Sequence, residues 1–195
     1  MGTSCRRATA ALAALVAATL AGCSGGSADP VAVLRSVTAP GTGSTTWRHD
    51  VGALSEVANG DYEKLRGQVA VSRGGPDEHG DVSGTRYATG WSSPVEPATA
   101  DGVCDDLAAW FAANARRLPG DLDASSGRVP STRTMHRRCM HAAAVDASEG
   151  ESISDGFLAY PDSDSGDVRY GMFAEMRTRG TAHRLTAVFA AFENP

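Results

Sequence analysis

In the run DSDSGD, Asp162, Asp164 and Asp167 occupy the first, third and sixth places, a carboxylate-rich run that resembles a calcium loop. Clustered hard oxygen ligands can hold Ca²⁺, but the EF-hand loop needs glycine at its sixth place and a bidentate Glu at its twelfth. Here Gly166 is fifth and Phe173 is twelfth. A polar turn between two strands accounts for the run, so the three aspartates remain candidate ligands only and no metal is expected.

A second cluster lies in HRRCMH, where His136, Cys139 and His141 stand close together. Zinc requires about four ligands in tetrahedral array, and neither a Cys-x-x-Cys nor a His-x-x-x-His accompanies them. Ser83 in GDVSG, with His79, Asp77 and Glu78 just before it, has residue types that could make a hydrolase. A nucleophile needs its base at about 3 Å and a third group to orient that base, which proximity in sequence does not provide, so a hairpin loop is expected. The sequence has no Gly-x-Ser-x-Gly, Ser-x-x-Lys, His-Glu-x-x-His or phosphate-binding glycine loop. No catalytic residue and no cofactor is assigned. The five histidines, His49, His79, His136, His141 and His183, form no ligand pattern, and Trp47, Trp91 and Trp110 are scattered and expected to pack and not to bind a sugar.

The cysteines point to a compartment. Cys5 and Cys23 lie near the amino terminus, leaving Cys104 and Cys139 as a pair farther on. Before Cys23, Arg6 and Arg7 precede an Ala/Leu/Val run from Ala8 to Leu20. That is the basic and then apolar layout of an export signal, and it is shorter than the roughly 20 residues a spanning helix needs. Leu20-Ala21-Gly22-Cys23 resembles the bacterial lipobox, an aliphatic residue and two small ones before a cysteine. The resemblance covers only the first two dozen residues. It implies that the Cys23 thiol receives a diacylglycerol and becomes the mature amino terminus. Each buried lipid CH₂ contributes about 0.8 kcal/mol, and two or more chains hold a protein stably on a bilayer. The expected location is the outer face of the cell membrane, with the domain lipid-anchored and not spanning it. In an oxidising, exported compartment Cys104 and Cys139 are expected to pair.

This reading divides the chain into a signal peptide over 1–22, a flexible Ser/Gly tether over 23–28 and one domain over 29–195. Of the 18 basic residues only Lys64 is a lysine, and Ala and Gly are abundant. Such usage resembles that of proteins from GC-rich bacteria such as actinobacteria. The net charge is −5, and losing Arg6 and Arg7 with the leader makes the remainder more acidic, which excludes nucleic acid as a favoured partner.

The elements that must position these residues follow from periodicity and caps. Asp29-Pro30 is an N-cap followed by proline at the first helical position, and it opens a short helix. Val51 to Arg66 is expected to form two short helices or a helix and a loop. Gln68–Ser72 and Gly84–Ser93 are expected to be a hairpin. The strongest helical signal is DGVCDDLAAWFAANARRLPG, with Asp101 as cap, Asp105 and Asp106 at the positive end, Arg116 and Arg117 at the negative end and Pro119-Gly120 as stop. Four strands are expected at 138–145, 152–160, 167–177 and 183–192, joined by short polar connections that favour an antiparallel meander. The expected fold class is α+β: a curved antiparallel sheet of about five or six strands with the helix from Asp101 packed on one face, plus short N-terminal helices.

Charge is uneven. Arg116, Arg117, Arg128, Arg133, Arg137 and Arg138 are accompanied only by Asp121 and Asp123, while Asp146 to Asp167 holds seven acids and no base. Arg128, Arg133, Arg137 and Arg138 form a possible docking surface for an anionic envelope polymer, another envelope protein or a small ligand. The expected function is therefore a non-catalytic binding module on the envelope. The alternatives are an envelope hydrolase without a recognisable motif and an accessory subunit of a membrane complex.

Overall fold

The structure, a computed structural model, describes residues 29–41, 46–50, 63–65, 67–73, 84–115, 130–148, 152–165 and 168–193. The expected signal peptide and tether, with Cys23, lie outside them, as do Arg128, Asp167 and the His79–Ser83 segment. No helix among the described residues is long and apolar enough to cross a membrane.

The first helix, α1 (Pro30–Ser36), begins as its sequence dictates. The Asp29 carboxylate accepts the Val31 amide at 3.0 Å, and Pro30 needs no acceptor for a missing N–H. Two short strands, β1 (Arg48–His49) and β2 (Glu63–Leu65), precede β3 (Val69–Arg73) and β4 (Thr85–Val95). β2 and β3 pair through a turn in which Gly67 takes φ 89°, a left-handed conformation that costs glycine nothing. Two consecutive helices follow, α2 (Ala100–Ala115) and α3 (Thr132–Ala143), and then three long strands, β5 (Ser152–Ser165), β6 (Val168–Arg179) and β7 (Ala182–Glu193). All strand pairs are antiparallel. The sheet order is β2-β3-β4-β7-β6-β5, with β1 also paired to β4. β5, β6 and β7 form a meander, and Gly180 at φ 60° makes the two-residue turn between β6 and β7. β7 then returns to lie beside β4, so α2 and α3 sit in the crossover and fold back onto the sheet.

Period-two alternation puts Tyr170, Met172, Ala174 and Met176 of β6 and Leu185, Ala187 and Phe189 of β7 on the helix-covered face. Val103, Leu107, Trp110 and Phe111 of α2, Met135 and Cys139 of α3 and Leu34 of α1 meet them there. Trp91, Trp110 and Phe111 pack edge to face, with centroids 5.9 and 5.3 Å apart, and the Trp110 indole N–H donates to Thr38 O at 2.8 Å. Trp47 packs against the same core from a half-buried position. The three tryptophans pack in or against the core, as expected. On the opposite face Ala70, Ala88, Phe173, Val188 and Ala190 form a second buried cluster.

The fold class is the expected α+β architecture, with corrections to its elements. Residues 138–145 do not form a strand: Thr132–Ala143 is a helix. Met135, Cys139 and Ala142 are its buried residues, at i, i+4 and i+7, a helical and not an alternating period. Ser131 caps it by accepting the Thr134 amide at 3.2 Å. Cys139 therefore lies on a helix and not at the head of a strand. Asp101 is inside the first turn of α2; the Glu96–Thr99 turn closes that end, with the Thr99 hydroxyl accepting the Glu96 amide and Thr99 O accepting Val103 N–H. Within 51–66, Glu63–Leu65 is strand and not helix, drawn into pairing by β3. The expected loop at Asp162 and Asp164 is strand as well. β5 continues to Ser165 through an irregularity between Ala159 and Ser163, and Asp164 pairs in register with Arg169.

Candidate functional site

α2 and α3 run antiparallel against each other and are joined by a disulfide between Cys104 and Cys139, with Cα atoms 5.6 Å apart. Both sulfurs are buried because each cysteine faces the core beneath the helix pair. Residues one turn or less from that bond on the outer side of each helix are thereby held face to face. On α2 these are Asp101 and Asp105, which share a helix side at i and i+4. On α3 the residue is His136, three places before Cys139.

His136 Nε2 lies 3.1 Å from Asp101 Oδ1 and 3.5 Å from Asp105 Oδ1. The imidazole is 29% exposed, whereas the two carboxylates are 78% and 71% exposed. The packed ring is thus the fixed member of the cluster and the aspartates are the adjustable ones. Asp101 sits in the first turn of α2, at the positive end of the dipole, which favours negative charge there. Asp105 opposes it, since like charges at i and i+4 repel.

Beside the cluster is an open groove of about 500 Å³, lined by Asp105, Ala108 and Ala109 of α2 and Thr132, Arg133 and His136 of α3. Its walls carry opposite charge and its floor is alanine. Beyond the groove α3 continues as a basic helix: Arg133, Arg137 and Arg138 are exposed, and none of them makes an ion pair with a described residue. The possible docking surface named from sequence is therefore carried, as far as it is described, by a single rigid element. Arg128 lies outside the described residues.

The other candidates separate. Cys139 is committed to the disulfide, so His136, Cys139 and His141 cannot act as a ligand trio. His49 Nε2 lies 2.7 Å from Gln68 O, and its ring meets the edge of Trp91. His183 is buried beside the β6–β7 turn, with Nδ1 2.9 Å from Thr178 Oγ1 and Nε2 3.6 Å from Asp146 Oδ1. Ser92 donates to Asp50 Oδ2 at 2.9 Å and accepts from the Arg184 guanidinium, which also donates to Asp50 at 2.7 Å. That triangle contains a hydroxyl and a carboxylate but no base between them, and it clamps β1 to β4 and β7. Asp162 and Asp164 stand on β5, where Asp164 is in register with Arg169 of β6. Burial, with the Asp29 and Glu193 carboxylates nearby, pushes the Tyr170 phenol above its ordinary ionisation range.

The Asp101–Asp105–His136 cluster was not read from the sequence, though a signal for it exists. If Cys104 and Cys139 pair and both segments are helical, Asp101, Asp105 and His136 must each fall within one turn of the bond. Reading 138–145 as a strand concealed this. No family model, curated protein or solved structure matches the chain, so its function has to be argued from these residues.

Proposed function

We propose that this protein is a lipid-anchored module of the bacterial cell envelope that binds an anionic partner through α3 and the groove beside it. The observation that carries the reading is the placement of Arg133, Arg137 and Arg138, all exposed, on one helix that a disulfide holds against its neighbour. Guanidinium groups present fixed forks of donors that match carboxylate and phosphate geometry, and a stapled helix loses little freedom when it docks. The acidic balance of the whole chain makes this basic strip a local exception, the arrangement that orients an approaching anion. The lipobox at Leu20–Cys23 supports the location, since a thiol-linked lipid places the domain within reach of envelope polymers and of other anchored proteins.

Two measurements test the two halves. Cys23→Ala is expected to release the domain into the medium; retention of that variant in the membrane overturns the anchor. A photo-crosslinking residue at Ala109, on the groove floor, is expected to give an adduct in the anchored chain that disappears in Arg133→Glu/Arg137→Glu. The same probe at Thr181, on the exposed β6–β7 turn, should give none. Equal labelling at both positions, or none at Ala109, overturns the binding face.

A further inference from the structure

We infer that Asp101, Asp105 and His136 form a site for a divalent transition-metal ion of the zinc class. The inference rests on the reading of the α2–α3 face as the binding surface and adds a cation to it. Three donor atoms of suitable type, one imidazole nitrogen and two carboxylate oxygens, all lie within 4.8 Å of one another. An ion held tetrahedrally at about 2.0–2.2 Å has its ligand atoms about 3.4 Å apart. The two separations from His136, 3.1 and 3.5 Å, already match that spacing. The remaining pair of carboxylates closes by rotation of exposed side chains, without movement of either helix.

His136 Nε2 makes a hydrogen-bond contact with Asp101 Oδ1 and lies almost as near to Asp105 Oδ1. A single imidazole N–H can direct one good hydrogen bond, yet His136 Nε2 faces two carboxylates, which repel each other across one helical turn. A dication between the three satisfies both carboxylates and uses the nitrogen lone pair of the neutral ring. The supporting framework is in place: the Cys104–Cys139 bond fixes the two backbones beside the ligands, and the imidazole is more buried than either carboxylate. Three protein ligands leave a coordination position open toward the groove, the pattern of sites that take a further ligand and not of closed structural sites. An imidazole in the set favours zinc and its neighbours over calcium or magnesium, which prefer all-oxygen shells. Arg133 lines the same groove and repels a cation, so its charge limits affinity without supplying a ligand.

The test is calorimetric titration of the full-length, disulfide-intact chain in detergent micelles with Zn²⁺ alone. One saturable site is expected, with affinity reduced about tenfold or more in His136→Ala and in Asp105→Asn, and with Ca²⁺ at the same concentration unable to displace the ion. Each variant changes a side chain on the outer side of the helix pair, and unchanged circular dichroism verifies that it folds. Absence of saturable binding, binding by either variant as in the wild type, or displacement by equimolar Ca²⁺ overturns the site. Failure of this inference is distinguishable from failure of the binding-face reading. Arg133→Glu/Arg137→Glu should abolish the Ala109 adduct while the zinc isotherm remains, and His136→Ala should abolish the isotherm.

Discussion

Cys104 and Cys139 join α2 to α3 at a Cα separation of 5.6 Å, across 35 residues of chain. Closing a loop of that length removes unfolded-state entropy worth about 4 kcal/mol in the chain-entropy model. Cys104→Ser/Cys139→Ser is therefore expected to lower unfolding free energy by about that amount. Denaturant titration of wild type and double variant measures it, and adding reductant to the wild type should reproduce the loss. A difference below about 1 kcal/mol would mean that the helix pair is held by packing alone.

That packing has its own signature at Leu107, which is fully buried where α2 meets the sheet. Leu→Ala at a buried site loses transfer free energy and leaves a cavity, together worth about 3 kcal/mol. Leu107→Ala should shift the denaturant midpoint accordingly with little change in slope, and it should act additively with any substitution at the exposed Arg138.

The contrast between these sites marks what the sequence could convey. α1, the β3–β4 hairpin and the meander strands β6 and β7 were legible, because their caps, turn glycines and alternation are local signals. α3 was not. Its apolar residues, Met135, Cys139 and Ala142, are few, and arginines and histidines fill the intervening positions, so a short stretch of it resembles a strand edge. Only the pairing of Cys139 with Cys104 and the Ser131 cap identify the helix. The candidate site is hidden with it, since His136 reaches Asp101 and Asp105 only from a helical backbone. In the sequence β5 looks shorter than it is, because Pro161 and the aspartates carry turn propensity. Antiparallel pairing with β6 overrides that propensity, at the cost of one irregularity.

Thr178 and His183 close the β6–β7 hairpin from within, with Oγ1 and Nδ1 2.9 Å apart and both side chains buried. The segment after α3 docks on this hairpin through the Ala147 amide, which donates to Gly180 O at 3.0 Å. Removing the hydroxyl leaves a buried ring nitrogen without that partner, which costs about 1–3 kcal/mol. Thr178→Val should be destabilised by this amount and Thr178→Ser should recover most of it. Equal stability of all three proteins would show that the nitrogen finds another partner. Hydrogen exchange at the Ala147 amide should rise in Thr178→Val if the hairpin and the docked segment open together.

Tyr170 is the described group whose ionisation the fold most clearly disfavours. Its ring is buried against Phe189, and desolvation raises its pKa, with the Asp29 and Glu193 carboxylates adding to the effect. A phenol in the unfolded chain ionises near pH 10, while in the folded protein it holds its proton to higher pH. Below pH 10 both states are protonated and stability is independent of this group. As pH rises above 10 the unfolded chain releases its proton first, so the unfolded state gains and stability falls until the folded pKa is passed. Unfolding free energy measured from pH 8 to 11.5 should therefore be flat at first and then decline. Tyr170→Phe should reduce the slope of the decline whatever its effect at neutral pH. An unchanged alkaline slope in that variant would assign the decline to other groups.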